Sequence, residues 1–255
     1  MLIFLINLDR SPDRLAFMTA QLDALGLQAE RLAAVEGNAI DLAPFAASGL
    51  RPGEVGCFLS HREAWRSLVS SGDAVALVLE DDVRLSEHLP GFLKEAASHC
   101  RGDDILKLDT SGRSIEVEAA SGVVAETVRL ARLCSEHTGT AGYIISAEAA
   151  ATLLARSVTF SEPVDLFMFG KDAVASSSPR IFQAIPAVVA QEKRFQAVQG
   201  TAMGSVIRRH ETGKTSVLIK IPKELRRWVR KLGRFAASVP RRVRGTHHYL
   251  RVPFA

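Results

Sequence analysis

Three consecutive carboxylates, Glu80, Asp81 and Asp82, follow directly on the apolar run Ala74–Leu79. Adjacent carboxylates repel one another, so the arrangement costs stability unless a cation relieves it. A hard divalent ion suits them, because Mg²⁺ or Mn²⁺ takes oxygen ligands and is commonly held by one or two carboxylates together with substrate phosphates. In an extended segment residues i and i+2 point the same way, which turns Glu80 and Asp82 to one side and Asp81 to the other. The chemistry on offer is metal-assisted handling of a diphosphate. The competing reading is a solvated acidic loop or a set of charges at a helix N-terminus.

Two further groups stand at positions where chemistry is possible. Asn7, Asp9, Arg10 and Arg14 lie where a first strand turns into a first helix, a place whose backbone amides and helix dipole favour nucleotide groups. Arg10 or Arg14 meets a phosphate there, or else Asp13 or Asp9 simply pairs with a nearby Arg. Ser60 and His61 fall within a second helix, and His61, three positions after Phe58, sits near its buried side. It is either a substrate contact or a hydrogen-bonded structural histidine.

The elements that must position these residues alternate. Leu2–Leu8 is an apolar run of the kind buried on both faces of a parallel sheet. Ser11 and Pro12 open a helix whose apolar positions Leu15, Met18, Leu22 and Leu25 recur until Gly26. A short strand is expected over Ala29–Val35 and an irregular loop over Glu36–Pro52. Val55, Phe58, Leu59, Trp65, Leu68 and Val69 then mark an amphipathic helix closed by Ser71 and Gly72. The Ala74–Leu79 strand, a helix over Leu89–Ser98 and a strand over Ile105–Leu108 complete a β-α-β-α-β layout. That layout predicts an α/β fold, a doubly wound, mostly parallel sheet with helices on both faces. Ligands in such sheets bind beyond the carboxyl ends of the strands, where Glu80-Asp81-Asp82 emerges. Strand-like stretches at Val123–Leu130, Gly142–Ser146 and Ile181–Val189 read as a mixed-sheet extension.

With 255 residues and 47% hydrophobic composition the chain supports one sizeable core. Met1–Leu8 is too short to span a bilayer and runs into charged residues, so the expected location is the cytoplasm. Cys57, Cys100 and Cys134 are odd in number and widely spaced, which argues against a disulfide framework or a zinc site and for buried thiols. The formal charge of +4 hides an asymmetry: residues 1–207 carry a net −8 and residues 208–255 a net +12. A negative body does not suit general nucleic-acid binding, whereas the tail seeks phosphates. The division expected is a catalytic domain over 1–207 and a basic helical extension over 208–255. Within the tail, Leu225, Trp228, Val229, Leu232 and Phe235 line one side of a basic helix over Glu224–Phe235. That helix either lies on an anionic membrane surface, making the protein peripheral at the inner face of the plasma membrane, or packs its stripe on the domain.

Several blocks together carry a resemblance. Phe4-Leu-Ile-Asn7-Leu8-Asp9-Arg10-Ser11-Pro-Asp13-Arg14, Gly53-Glu-Val-Gly56-Cys57-Phe-Leu-Ser60-His61-Arg-Glu-Ala-Trp65 and Leu77-Val-Leu-Glu80-Asp81-Asp82 resemble, in order and spacing, glycosyltransferase family 25. Gly139-Thr140-Ala141-Gly142-Tyr143-Ile144-Ile145-Ser146 and Pro163-Val164-Asp165 look like its later blocks, so the match covers roughly residues 1–200. That family is associated with lipopolysaccharide and lipooligosaccharide biosynthesis, and its relatives include collagen galactosyltransferases.

The resemblance implies a GT-A type fold and inverting transfer of a sugar, often galactose, from a UDP-sugar to a saccharide or glycolipid acceptor with Mn²⁺ or Mg²⁺. Glu80-Asp81-Asp82 stands in place of the D-x-D motif, departing from it in the leading Glu. Asp82 is then the first choice for the metal. Glu80 assists it or holds the donor ribose, and Asp81 touches sugar hydroxyls. Inversion requires a carboxylate to take the acceptor's proton. Asp165 is the candidate, with Glu162 in reserve, and its alternative role is a helix N-cap before Leu166-Phe167-Met168. The rivals are a metal-dependent phosphohydrolase or nucleotidyltransferase and a non-catalytic polyanion- or membrane-binding module.

Overall fold

The computed structural model describes residues 1–119, 123–125, 127–176, 178–193 and 247–255. In chain order the first half runs β1 (Leu2–Asn7), α1 (Pro12–Ala24), β2 (Glu30–Ala33), α2 (Pro52–Ser71), β3 (Val75–Glu80), β4 (Val83–Leu85), α3 (Leu89–His99) and β5 (Asp104–Lys107). The second half adds β6 (Ser114–Glu118), β7 (Val123–Ala125), β8 (Val128–Arg132), β9 (Gly142–Ser146), α4 (Ala147–Arg156), α5 (Val164–Phe169), α6 (Lys171–Ala175), β10 (Arg180–Ile185), β11 (Val189–Gln191) and β12 (His247–Arg251).

β1 and β3 are apolar at successive positions because both of their faces are covered. Phe4, Ile6, Ala76 and Val78 enter one core with Phe58, Trp65 and Leu68 of α2, Leu153 of α4 and Met168 of α5. Ile3, Leu5, Val75, Leu77 and Leu79 enter the other, with Met18 and Leu22 of α1 and Leu89, Phe92 and Leu93 of α3. The result is a three-layer α/β structure. Gly72 ends α2 at φ 78°, a left-handed conformation open to glycine at little cost.

The main sheet has the order β2-β1-β3-β9-β5-β10-β8-β7. β1 pairs in parallel with β2 and β3, and β5 with β10, while β9 runs antiparallel between β3 and β5. Six of the eight strands share one direction, the exceptions being β8 and β9. This is the mixed, mostly parallel, GT-A-like sheet expected. The insertion of β9 is the detail that alternation of elements does not reveal.

Two boundaries differ from the sequence reading. The stretch Val123–Leu130 divides between two antiparallel strands, β7 and β8, and the sequence between them carries no Gly, Pro or Asn to mark the break. Ile181–Val189 divides into β10 and β11 around Pro186, which has no N–H to give a ladder. The Glu224–Phe235 helix and the 207/208 boundary lie outside the described residues. The last nine residues return to the body. β12 pairs with β6, Val252 is buried in the α2-side core, Thr110 Oγ1 donates to Val252 O at 2.9 Å, and Ala187 N donates to Pro253 O at 2.8 Å. Among the described residues no helix is long and apolar enough to cross a membrane.

Candidate active site

The acidic triplet leaves the carboxyl end of β3 in the middle of the sheet, flanked by the end of β1 and the start of β9. Its three side chains meet three different environments. Asp81 turns back into the protein and is 7% exposed. Asn7 Nδ2 donates to its Oδ2 at 2.7 Å, and Arg14 Nη1 pairs with its Oδ1 at 2.9 Å. Asp81 therefore ties the end of β3 to the end of β1 and the start of α1. Arg14 is engaged by the same pair.

Glu80 faces α2 and the loop before β9. Thr140 Oγ1 donates to its Oε1 at 2.5 Å, and His61 Nε2 stands 3.5 Å from that oxygen. Burial alone would raise the Glu80 pKa, but the nearby His61, Thr140 and Lys193 outweigh it and hold the group below its usual value. His61 is 1% exposed, with Nδ1 2.9 Å from the Tyr143 hydroxyl, which also accepts from Trp65 Nε1 at 2.9 Å. His61 is thus a hydrogen-bonded, buried histidine that also stands beside Glu80.

Asp82 is the exception. Its Oδ1 is buried and has no hydrogen-bond partner among the described residues. Burial first, and then the charge of Glu80, push its pKa up to about 7, against the opposing pull of Arg14 and Lys193. An orphaned carboxylate oxygen beside a second carboxylate has the character a divalent cation would satisfy, and the donors fit a hard ion. The strand ends at Glu80, so strict alternation does not extend through Asp81 and Asp82; the charges of Glu80, Arg14 and Asp81 all act on Asp82.

The turn after Asp82 is clamped. Gln21 of α1 donates to Val83 O and accepts from Leu85 N. β4 pairs with β11, Arg84 and Glu192 form a bidentate ion pair, and Glu192 N donates to Asp82 O at 2.7 Å. Lys193, next along the chain, is exposed and acts on both Glu80 and Asp82 through its charge. Sequence reasoning passed over it, since nothing in its neighbourhood announces a return to residue 82.

A second buried charge pair underlies the triplet. Lys107, fully buried, donates to Asp109 Oδ1 at 2.6 Å and to Gly139 O, and its ammonium lies 4.1 Å from the Phe169 ring centre. Burial pushes Asp109 up to about 6, opposed by Lys107 and reinforced by Glu80. Gly139 has φ 109°, and a Cβ there would stand 3.1 Å from Asp109 Oδ2. The signal was two charges at alternate positions of an otherwise apolar strand, Ile105-Leu-Lys107-Leu-Asp109.

The remaining candidates take separate places. Arg10 pairs with Glu36 at 2.6 Å and Asp9 with Arg31. Arg31 also donates to Asn7 Oδ1 at 3.0 Å. Ser60 stitches α2 to the preceding loop, donating to Gly56 O at 2.7 Å and accepting from Val35 N at 2.8 Å. Asp165 lies in the first turn of α5, where its Oδ1 accepts from Leu166 N at 2.9 Å. Its charge reaches Cys57, as do those of two of the triplet: burial, then the charges of Glu80, Asp165 and Asp82, push the Cys57 thiol well up. Glu162 is exposed, and burial together with Asp172 raises its pKa. Cys57 also lies with His61 and Glu80, their ligating atoms all within 4.8 Å of one another, a grouping that the separations along the chain concealed.

Comparison with known proteins places this geometry. The family model "Glycosyltransferase family 25 (LPS biosynthesis protein)" matches residues 1–168. "Lacto-N-neotetraose biosynthesis glycosyltransferase LgtB" of Neisseria gonorrhoeae is 35% identical over 166 residues, 60% of this chain and 59% of LgtB. LgtE of the same organism is 31% identical over 199 residues, 71% of this chain and 69% of LgtE. A glycosyltransferase 25 family member of Drosophila melanogaster is 30% identical over 186 residues, 65% of this chain and 30% of the fly protein. The chain thus spans under two thirds of LgtB and about a third of the fly protein. The matched region contains β1, the helix with Ser60 and His61, the acidic triplet, the Gly139–Ser146 block and Pro163-Val164-Asp165, and the chain belongs to glycosyltransferase family 25.

Proposed function

We propose that this chain is an inverting, divalent-cation-dependent glycosyltransferase that moves a sugar, galactose in this reading, from a UDP-sugar to a saccharide acceptor of lipopolysaccharide or lipooligosaccharide. One observation carries the reading: a buried, unpartnered oxygen on Asp82, set beside Glu80 at the carboxyl edge of the sheet. Family membership and the names of LgtB and LgtE support the reaction class and a saccharide acceptor.

Asp82 and Glu80 would hold Mn²⁺ or Mg²⁺, which when bound supplies positive charge against the departing nucleoside diphosphate. Lys193 adds a second positive charge on the same side. Asn7 and Arg14 fix Asp81, and through it the turn that presents Asp82. Thr140 fixes Glu80, so that neither acid reorganises as charge develops. Asp165 is the base: the acceptor oxygen bonds to the anomeric carbon, the bond from that carbon to the phosphate oxygen breaks, and the acceptor proton passes to the Asp165 carboxylate. Glu162 is the reserve for that role. The net +12 of residues 208–255 suits attachment to an anionic membrane surface from the cytoplasmic side, where such an acceptor is built.

The test is a panel of UDP-sugars assayed for UDP release with and without acceptor saccharide. One donor should be consumed, EDTA should stop it, Mn²⁺ or Mg²⁺ should restore it, and Asp82→Ala should abolish it. Turnover indifferent to both chelator and Asp82→Ala overturns the site. Phosphate release from a simple monoester, with no UDP-sugar consumed, overturns the reaction class.

A further inference from the structure

Cys57 and His61 are four residues apart on α2, so both project from one face of the helix, and β3 delivers Glu80 to that face. Their sulfur, ring nitrogen and carboxylate oxygen lie within 4.8 Å of one another. The His61 Nε2 to Glu80 Oε1 separation is 3.5 Å, too long for a good hydrogen bond and close to what two ligands of one tetrahedral ion require. His61 Nε2 is buried without a hydrogen-bond partner among the described residues.

Behind the ring the support is complete. His61 Nδ1 stands 2.9 Å from the Tyr143 hydroxyl, itself fixed by Trp65 Nε1. The 2.9 Å contact serves either tautomer; in the one a cation would select, the proton sits on Nδ1, the imidazole donates to Tyr143, and the Nε2 lone pair turns toward Glu80 and Cys57. That arrangement, a ligand nitrogen in front and a donated N–H behind, is how metal-ligating histidines are oriented.

We infer that Cys57, His61 and Glu80 form a second cation site, selective for borderline-soft divalent ions such as Zn²⁺, whose occupation withdraws Glu80 from the Asp82 centre and stops turnover. The inference rests on the function proposed above for Glu80 and Asp82. Sulfur and nitrogen donors set its preference, since Mg²⁺ takes neither readily and Mn²⁺ lies at the weak end of the affinity order for such donors. On ligation the Cys57 thiol releases its proton to solvent, and the three protein ligands leave a fourth position for water.

The experiment uses the full chain, freed of metal and titrated with Co²⁺, whose thiolate charge-transfer band in the near ultraviolet reports Co–S bonding. Cys134→Ser is the control, because Cys134, Glu118 and His247 make another trio of ligating atoms within 4.8 Å. The band should appear in wild type and in Cys134→Ser, vanish in Cys57→Ser and Cys57→Ala, and be displaced by Zn²⁺. Competition should show Zn²⁺ bound at least about tenfold more weakly by Cys57→Ser. Micromolar Zn²⁺ added to Mn²⁺-supported turnover should inhibit wild type more than Cys57→Ser. A band that is absent from wild type, or lost only in Cys134→Ser, overturns the inference. The band is read without any sugar donor, so failure of the transferase reading leaves it in place, whereas failure of this site leaves Mn²⁺-dependent turnover intact and no band.

Discussion

Replacing Asp82 by Asn should stabilise the metal-free protein at alkaline pH while removing its response to Mn²⁺. The Asp82 carboxyl rises from an ordinary 3.8 to about 7 on folding, because the native site buries it beside Glu80. Such a group contributes stability while it is protonated in both states, below pH ~4, and loses it as pH climbs through the native pKa, for a total of about 4 kcal/mol. Between pH 5 and pH 8.5 wild type should lose about 2–3 kcal/mol from this source, and Asp82→Asn should lose none of it. Urea unfolding in EDTA at the two pH values measures the gap between the proteins, in which titrations common to both cancel. Saturating Mn²⁺ at pH 8.5 should then raise wild type by about 3 kcal/mol when the ion is at a hundred times its dissociation constant, and leave Asp82→Asn unmoved. A gap that stays constant from pH 5 to pH 8.5, or a wild type that is the more stable of the two in EDTA at pH 8.5, refutes the idea of a carboxylate held waiting for a cation.

Thr140→Val removes the hydrogen bond on Glu80 Oε1 with little change of shape, and should weaken metal activation or turnover by about 10–100-fold, read from Mn²⁺ activation curves. Lys107→Met strands Asp109 without its cation and should cost about 3–5 kcal/mol in urea unfolding, most of it recovered in Lys107→Met/Asp109→Leu. Val252→Ala should cost about 2 kcal/mol and removal of residues 247–255 considerably more, seen as a fall in Tm, since this segment is part of the core and of the β6–β12 ladder.

The buried strands were readable because a strand covered on both faces has to be apolar at every position, and Leu2–Ile6 and Val75–Leu79 are. The helices were readable from their 3.6-residue period and from Pro12 and Gly72 at their ends. The antiparallel course of β9 was not, since its five buried residues would suit a parallel strand equally well, and its direction is set by how β8 and the loop before it return to the sheet. Lys107, Asp109 and Lys193 escaped for a related reason: each acquires its meaning from a partner that only the folded sheet supplies. Lys107 reaches Gly139 across 32 residues, and Glu192 N, next to Lys193, meets Asp82 O across 110. Alternation divides the triplet by strand geometry, but the strand ends at Glu80 and the partners of each acid come from elsewhere in the fold. Asp81 finds Asn7 and Arg14, Glu80 finds Thr140 and His61, and among the described residues only Asp82 of the three is left with a buried oxygen unsatisfied. Three adjacent acids thus resolve into two that are held by the fold and one that the fold holds at a cost. A sequence can show where such a cost falls only when it also shows which partners are missing, and here those partners would have had to come from β1, α1, α2 and the loop before β9.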